Sequence, residues 1–397
     1  MIMKSLDDKA KCCGCSACSA ACPTGCIEML PDEEGFFYPQ INKERCVSCG
    51  ICSSVCPIEN GFIECNKENI SAFVVQNKDR IVLKESTSGG AFSAIASTVI
   101  AKGGVVYGAS LDESFRACHK AVSTIEDLKA LRNSKYLQSE ISVSTYCEVK
   151  AELEKGRLVC FSGTPCQIAG IKCFLKEDYE NLITIDVVCR AVPSPMVFQK
   201  YLSYIRVRLR SEIKKIRFRD KRYGYQFSTM AIYDETGRVN YSRGIESDPW
   251  LRAFFSNICD RPSCHECVFR TKYRNSDVTL WDCFHVENYS NSISPKDGAS
   301  CVLIHSQKGK TIFAEASQRL VYTEVVPEDL RVSSKEYSTS IIKNPRRQEF
   351  FKDATTMDGE HLFKKWFPIS TKYKIRFIAR RIANKTPFYN FLRSLVK

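Results

Sequence analysis

Cys12-Cys13-Gly14-Cys15-Ser16-Ala17-Cys18-Ser19-Ala20-Ala21-Cys22-Pro23 is answered further along the chain by Cys46-Val47-Ser48-Cys49-Gly50-Ile51-Cys52-Ser53-Ser54-Val55-Cys56-Pro57. Both stretches obey the spacing Cys-x2-Cys-x2-Cys-x3-Cys-Pro. Eleven of the 22 cysteines fall between Cys12 and Cys65. At 397 residues the chain is too long for a disulfide-stapled secreted mini-protein. Its start, MIMKSLDDKAKCC, lacks the apolar run of a signal peptide. A cytoplasmic location is the expectation, and the dense cysteines read as metal ligands rather than disulfides.

The spacing is that of bacterial two-cluster ferredoxins, where three closely spaced thiolates hold one [4Fe–4S] cube and the fourth reaches across to the other. That rule assigns Cys12, Cys15, Cys18 and Cys56 to one cube, and Cys46, Cys49, Cys52 and Cys22 to the second. Zinc is the alternative, but zinc sites use separated Cys-x2–4-Cys pairs rather than four cysteines in eleven residues. Cys13, Cys26 and Cys65 stand outside the register and read as small apolar residues packed nearby. Two cubes in residues 1–68 make an electron wire, since nothing in this segment suggests a substrate site.

Beyond the repeat the texture changes. With 44% hydrophobic and 26% charged residues the composition is that of a folded globular protein, long enough for more than one core. SAFVVQN (71–77), VVYGASL (105–111), RLVCFSG (157–163) and LITIDVV (182–188) predict buried strands. Between and after them AFSAIASTVIAKGG, VSTYCEVKAELEKG, CQIAGIKCFLKE and PMVFQKYLSYIRVRLR have helical spacing, two of them ending at Gly103 and Gly156. The expected fold is therefore an α+β ferredoxin module fused to an α/β domain, residues 70–350, with a mostly parallel sheet. Residues 213–245 predict an antiparallel insertion, and 300–326 another strand–helix–strand. No stretch is apolar for long enough to span a bilayer.

Glu85-Ser86-Thr87-Ser88-Gly89-Gly90-Ala91 opens one helix with hydroxyls and paired glycines. Free amides and the helix dipole there can bind a phosphate, although the same residues also make an ordinary cap. Ser162-Gly163-Thr164-Pro165-Cys166-Gln167 is a second strand-end loop of this kind. Asn133–Ser139 adds Lys135, and Cys189 follows the next strand. Ligands of open α/β sheets bind outside the carboxyl ends of the strands, where Gly163 and Cys189 would sit.

Together STSGGAFSAIA, GGVVYGA, NSKYLQS, FSGTPCQIAGIK, DVVC…VPSP, CHEC and NPRRQEFF resemble the β-subunit family of coenzyme F-420 hydrogenases and dehydrogenases. The resemblance implies a flavin-binding domain that passes electrons between clusters and FAD. The flavin then exchanges a hydride with a deazaflavin or another small organic acceptor, in either direction. It carries over Ser88, Gly89, Gly90, Lys135, Gly163 and Thr164 as flavin contacts. Cys166, Cys189, Cys264 and Cys267 fall on family cysteines and suit a third [4Fe–4S] cluster, with zinc or plain buried thiols as rivals. Two places depart from the family. Cys-His-Gly is replaced by Cys189-Arg190-Ala191, and Gly-Asp-Phe-Trp-Gly by Trp281-Asp282-Cys283-Phe284-His285. Both put the organic substrate in doubt, and leave open an electron-transfer subunit that acts only with a partner enzyme.

No catalytic acid or base emerges from His119, His265, His285, His305 and His361, and flavin chemistry requires none. The electron donor and acceptor are a redox partner protein or a small molecule. From Lys364 to Lys397 there are ten Lys and Arg and no Asp or Glu, so the +13 net charge is concentrated in the tail, residues 351–397. Its apolar residues among cations fit a helix docked on the body or a weak peripheral contact with a membrane surface. Nucleic acid is not expected, because the rest of the chain is nearly neutral.

Overall fold

The computed structural model describes residues 8–60, 70–209 and 211–369, together with 371, 373, 375, 378 and 379. Cys65 and about half of the basic tail, including all of residues 380–397, lie outside the described residues. In chain order the elements begin with α1 (Ala17–Ala20), β1 (Ile27–Pro31), β2 (Phe37–Ile41) and α2 (Ile51–Ser54). There follow β3 (Ser71–Asn77), α3 (Arg80–Glu85), α4 (Ala91–Ala101), β4 (Val105–Leu111), β5 (Ala117–Val122) and α5 (Val143–Glu154). Next come β6 (Val159–Gly163), α6 (Pro165–Leu175), β7 (Leu182–Val187), α7 (Pro195–Arg206), β8 (Lys215–Arg217), β9 (Thr229–Tyr233), β10 (Val239–Gly244) and α8 (Pro249–Phe255). The chain ends with β11 (Val278–Cys283), β12 (Ala299–Ile304), α9 (Gln307–Ala316), β13 (Leu320–Val325), α10 (Pro327–Val332), α11 (Arg347–Thr356) and α12 (Gly359–Trp366).

Two compact units result, Met1–Pro195 with Asp260–Ile342, and Met196–Cys259 with Lys343–Lys397. In the first, β1 and β2 pair antiparallel, Ile27 opposite Ile41. The two cysteine runs turn through matching left-handed positions. Gly14 and Ser16 have φ of 69° and 68°, and Ser48 and Gly50 have 54° and 76°. Such positions fold the chain tightly enough for x2 spacings to bring successive thiols round one hollow.

The large sheet of the first unit has the order β13-β3-β12-β11-β7-β6-β4-β5. β4, β6, β7 and β11 are joined by parallel pairings. The remaining four pairings are antiparallel. Because β12 is reversed on both sides, β3 points the same way as the parallel four. The strand–helix alternation read from the sequence gives this parallel centre, while β5, β12 and β13 are antiparallel additions.

Alternate residues of the sheet feed two apolar layers. Val106, Cys160 and Ile185 pack with Ala94, Ile95, Ile312 and Phe313 on one face. Tyr107 and Phe161 pack on the other with Tyr146, Ile168 and Ile171 of α5 and α6, and this layer also takes in Cys15, Ala17 and Val55. The cysteine-rich module thus shares a core with the α/β part. Gly103 and Gly156, at φ of 77° and 78°, follow α4 and α5, as expected of helix ends.

The second unit holds the antiparallel sheet β10-β9-β8, within the segment expected to form an antiparallel insertion. Its core centres on fully buried Trp250, against which Phe198 and Tyr201 of α7 pack with ring centroids 4.8 and 6.0 Å away. Among the described residues no helix is long and apolar enough to cross a membrane.

Candidate metal centres and the sheet edge

Each cysteine run contributes to two hollows, and the fourth cysteine of each crosses over. One hollow is lined by Cys12, Cys15, Cys18 and Cys56, together with Cys13, Met29 and Pro39. The other is lined by Cys46, Cys49, Cys52 and Cys22, with Cys26 and Val47. Among the described residues no three His, Cys, Asp or Glu side chains group as they would about a single ion. Thiols spread around a hollow suit a polynuclear cluster better than one zinc ion. Cys26, outside the register, lies with its Sγ 3.4 Å from that of Cys22.

The first hollow faces inward and the second outward. Cys15, Cys18 and Cys56 are buried, whereas Cys49 is exposed and Val47 is 65% exposed. At the second hollow the Cys22 sulfur accepts from the Cys26 amide at 3.3 Å and lies 3.6 Å from the Thr24 hydroxyl. At the first, Arg261 reaches the Cys12 sulfur at 3.7 Å.

Cys166 lies in the first turn of α6, Cys189 two residues past β7, and Cys264 and Cys267 between α8 and β11. Adjacent parallel strands bring the first two loops together. Backbone pairing of Pro193 with Asp260, and of the Arg261 amide with the Val192 carbonyl at 2.9 Å, brings in the third. The four thiols are close enough to repel one another as thiolates. Burial pushes Cys189 up to about 12, and Cys166 and Cys267 add to this. Burial also raises Cys264 and Cys267. Cys166 is the exception, held down at about 7 chiefly by a hydrogen bond from Cys13, with Thr164 also contributing. Arg270 donates to the Cys189 carbonyl at 2.8 Å and to the Arg190 carbonyl.

The carried-over flavin residues all lie on one edge of the sheet, and each has work within the protein. Ser88 Oγ is 2.7 Å from Ser300 Oγ, and the Gly89 amide donates to the same hydroxyl at 2.9 Å. A Cβ on Gly89 would sit 2.2 Å from the Val75 carbonyl oxygen, so this glycine is required by the sheet itself. Gly90, at φ 80°, caps α4. Thr164 caps α6 in a capping box with Gln167, and Gly163 lies beneath that glutamine. Lys135 Nζ donates to the carbonyls of Ala130 and Arg132 at 2.9 and 2.8 Å. The loops are tied together by the Arg132–Glu85 ion pair at 2.7 Å and by Thr87 with Ser134 at 3.0 Å. His119 joins this edge with Nδ1 2.9 Å from Ser139 Oγ and Nε2 2.9 Å from the Ser162 carbonyl. Burial lowers it to about 4, so it stays neutral at pH 7.

The departures are absorbed structurally. Trp281 packs against Tyr337 with ring centroids 5.7 Å apart. Arg190 pairs with Glu336 at 2.9 Å. The sequence reading missed Arg261, Tyr146 and Gly170, which join the cysteine-rich module to the α/β part. The one signal it offered was an arginine inside the cysteine-bearing run Cys259-Asp260-Arg261-Pro262-Ser263-Cys264.

Residues 11–60 match the 4Fe-4S dicluster domain, and residues 156–330 match the family that describes the C-terminal part of the coenzyme F420 hydrogenase/dehydrogenase beta subunit. No curated protein matches the chain. Among solved structures, a chain of the F420-reducing [NiFe] hydrogenase complex from Methanosarcina barkeri is similar at 18% identity, with a TM-score of 0.43, covering 75% of this chain and 90% of that one. The protein therefore joins a 4Fe-4S dicluster domain to a segment, residues 156–330, that belongs to the coenzyme F420 hydrogenase/dehydrogenase β-subunit family.

Proposed function

We propose that the protein is an iron–sulfur flavoprotein oxidoreductase that relays electrons between [4Fe–4S] clusters and FAD, for hydride exchange with an organic acceptor. The observation that carries this is the crossed sorting of eight cysteines round two hollows. Cys12, Cys15, Cys18 and Cys56 would hold the inner cube, and Cys22, Cys46, Cys49 and Cys52 the outer one. Cys166, Cys189, Cys264 and Cys267 would hold a third cluster at the end of β6 and β7. FAD would lie along the same edge, near Ser88, Gly89, Gly90, Lys135, Gly163 and Thr164. When bound, it supplies the conversion between one-electron carriers and two-electron hydride chemistry.

The chain's own residues do the positioning. The outer thiols face solvent, where a redox partner or small donor can approach, and the inner thiols face α5 and α6. Cys13 links Cys15 to Cys166 by hydrogen bonds, a short route from the inner hollow to the third thiol set. A second reading, an electron-transfer subunit that acts only with a partner enzyme, is favoured by Trp281. Its indole packs against Tyr337 in a buried apolar cluster, at a position where the family resemblance implies a glycine.

The test is anaerobic purification with iron, sulfide, zinc and extracted flavin measured together. About twelve irons and one FAD per chain are expected. About eight irons without flavin would leave the electron-transfer reading and remove the flavoenzyme one, and zinc in place of iron would remove both.

A further inference from the structure

Arg261 is fully buried, yet among the described residues its hydrogen bonds include no carboxylate. Nε donates to the Cys12 carbonyl at 2.9 Å, Nη1 to Gln138 Oε1 at 3.0 Å, and Nη2 to the Phe37 carbonyl at 3.0 Å and the Cys12 sulfur at 3.7 Å. The Tyr38 ring lies over the guanidinium, 4.2 Å from its centroid. Two carbonyls, an amide and a ring orient a cation but do not neutralise it. An uncompensated buried charge is costly. Four thiolates round the inner hollow would be the missing counter-charge, and Cys12 is one of them. At Cys22 of the outer hollow the described partners of the sulfur are the Cys26 amide, the Thr24 hydroxyl and the Cys26 thiol, none of them a cation.

We propose that Arg261 is a positioning residue that raises the reduction potential of the inner cluster, at Cys12, Cys15, Cys18 and Cys56, without acting on the outer one. This rests on the two-cluster reading above. The couple concerned takes up one electron from a one-electron carrier, with no bond made or broken. A cation hydrogen-bonded to a ligating sulfur favours the state with the additional negative charge. An electron entering at the exposed cluster is thereby drawn inward, toward the side of the molecule that holds Cys166 and Cys264.

The experiment is a dithionite titration of the full chain followed by EPR, with iron counted in every sample. Two variants are compared with the unaltered protein. Arg261→Gln removes the charge. Gln138→Glu leaves Arg261 in place and sets a carboxylate against its Nη1. In both, the inner cluster's reduction equilibrium should fall at least tenfold, about 59 mV for a one-electron couple. The outer cluster, identified by the signal that Cys49→Ser disturbs, should not move. Unshifted potentials, or equal shifts of both clusters, would overturn the proposal. So would loss of iron from both variants, which would make Arg261 a structural residue only. An unaltered protein without iron would instead defeat the two-cluster reading itself.

Discussion

The Tyr146 hydroxyl, buried within α5, donates to the Cys15 carbonyl at 2.5 Å. This bond ties the first cysteine loop to the α/β part of the same unit, and α6 completes the seam. A Cβ on Gly170 would lie 2.8 Å from Cys15 Cβ, so the helix approaches the loop as closely as only glycine permits. Burial pushes the Tyr146 phenol well above its ordinary range, so it remains a donor at any working pH. Tyr146→Phe keeps the ring packing and leaves the Cys15 carbonyl without this donor. Such a loss costs about 1–3 kcal/mol. The expected outcome is a lower guanidinium midpoint, read as bleaching of visible absorbance in anaerobic protein. An unchanged midpoint would mean that water replaces the phenol.

The two cysteine runs interchange Gly and Ser at equivalent left-handed positions, Gly14 with Ser48 and Ser16 with Gly50. Their surroundings differ. A Cβ on Gly14 would lie 2.7 Å from the Gln138 amide nitrogen and 2.8 Å from Arg261 Nη1, whereas one on Gly50 would meet no atom of the described residues within 4 Å beyond its chain neighbours. Gly50→Ser should therefore cost only the backbone preference, about 1–2 kcal/mol, and keep its iron. Gly14→Ser should in addition displace Arg261 and lose iron from the inner site. Iron content of the two variants, purified side by side without oxygen, decides this, and equal retention would contradict it.

Crossed ligation makes a prediction that sequence adjacency would get backwards. Cys22→Ala should abolish the cluster of Cys46, Cys49 and Cys52 and spare that of its own neighbours. Cys56→Ala should do the reverse. Each variant should lose about four irons. Combining Cys22→Ala with Cys49→Ala should cost no more iron than Cys49→Ala alone, while Cys22→Ala with Cys18→Ala should empty both hollows.

Much of this was legible because the decisive signals are local. The x2 spacings, the proline after each fourth cysteine and the apolar runs at 71–77 and 105–111 each report on their own neighbourhood, and those two strands begin and end where the sequence suggests. What stayed hidden depends on distant partners. Nothing near Gly89 announces that the Val75 carbonyl lies against it, so its packing role is invisible in the sequence beside the cofactor role expected of it. Arg261 looks like a surface cation until Cys12, Phe37 and Gln138, all far away in sequence, close round it. The antiparallel β12 and β13 were likewise missed as such, because a strand's direction depends on its partner and not on its composition.

Asp248 provides a test within the second unit, which contains none of the twelve candidate cluster cysteines. Its carboxylate caps α8 at the Leu251 amide, 2.7 Å away, and accepts from the Tyr201 and Tyr241 hydroxyls at 2.7 and 2.9 Å. Burial outweighs these bonds and raises the group to about 6. Between the ordinary carboxylate value and about 6, the folded state thus holds more protons than the unfolded one. Stability of this unit should fall as pH rises through roughly 4 to 6, by about 3 kcal/mol, and stay level above that. Hydrogen exchange of the α8 amides, corrected for intrinsic rates, should show protection dropping about a hundredfold across the window. Asp248→Asn still accepts through its amide oxygen and can still cap the helix. It should flatten the profile, since it has no proton to lose. A profile that keeps its slope in Asp248→Asn would assign the pH dependence to another group.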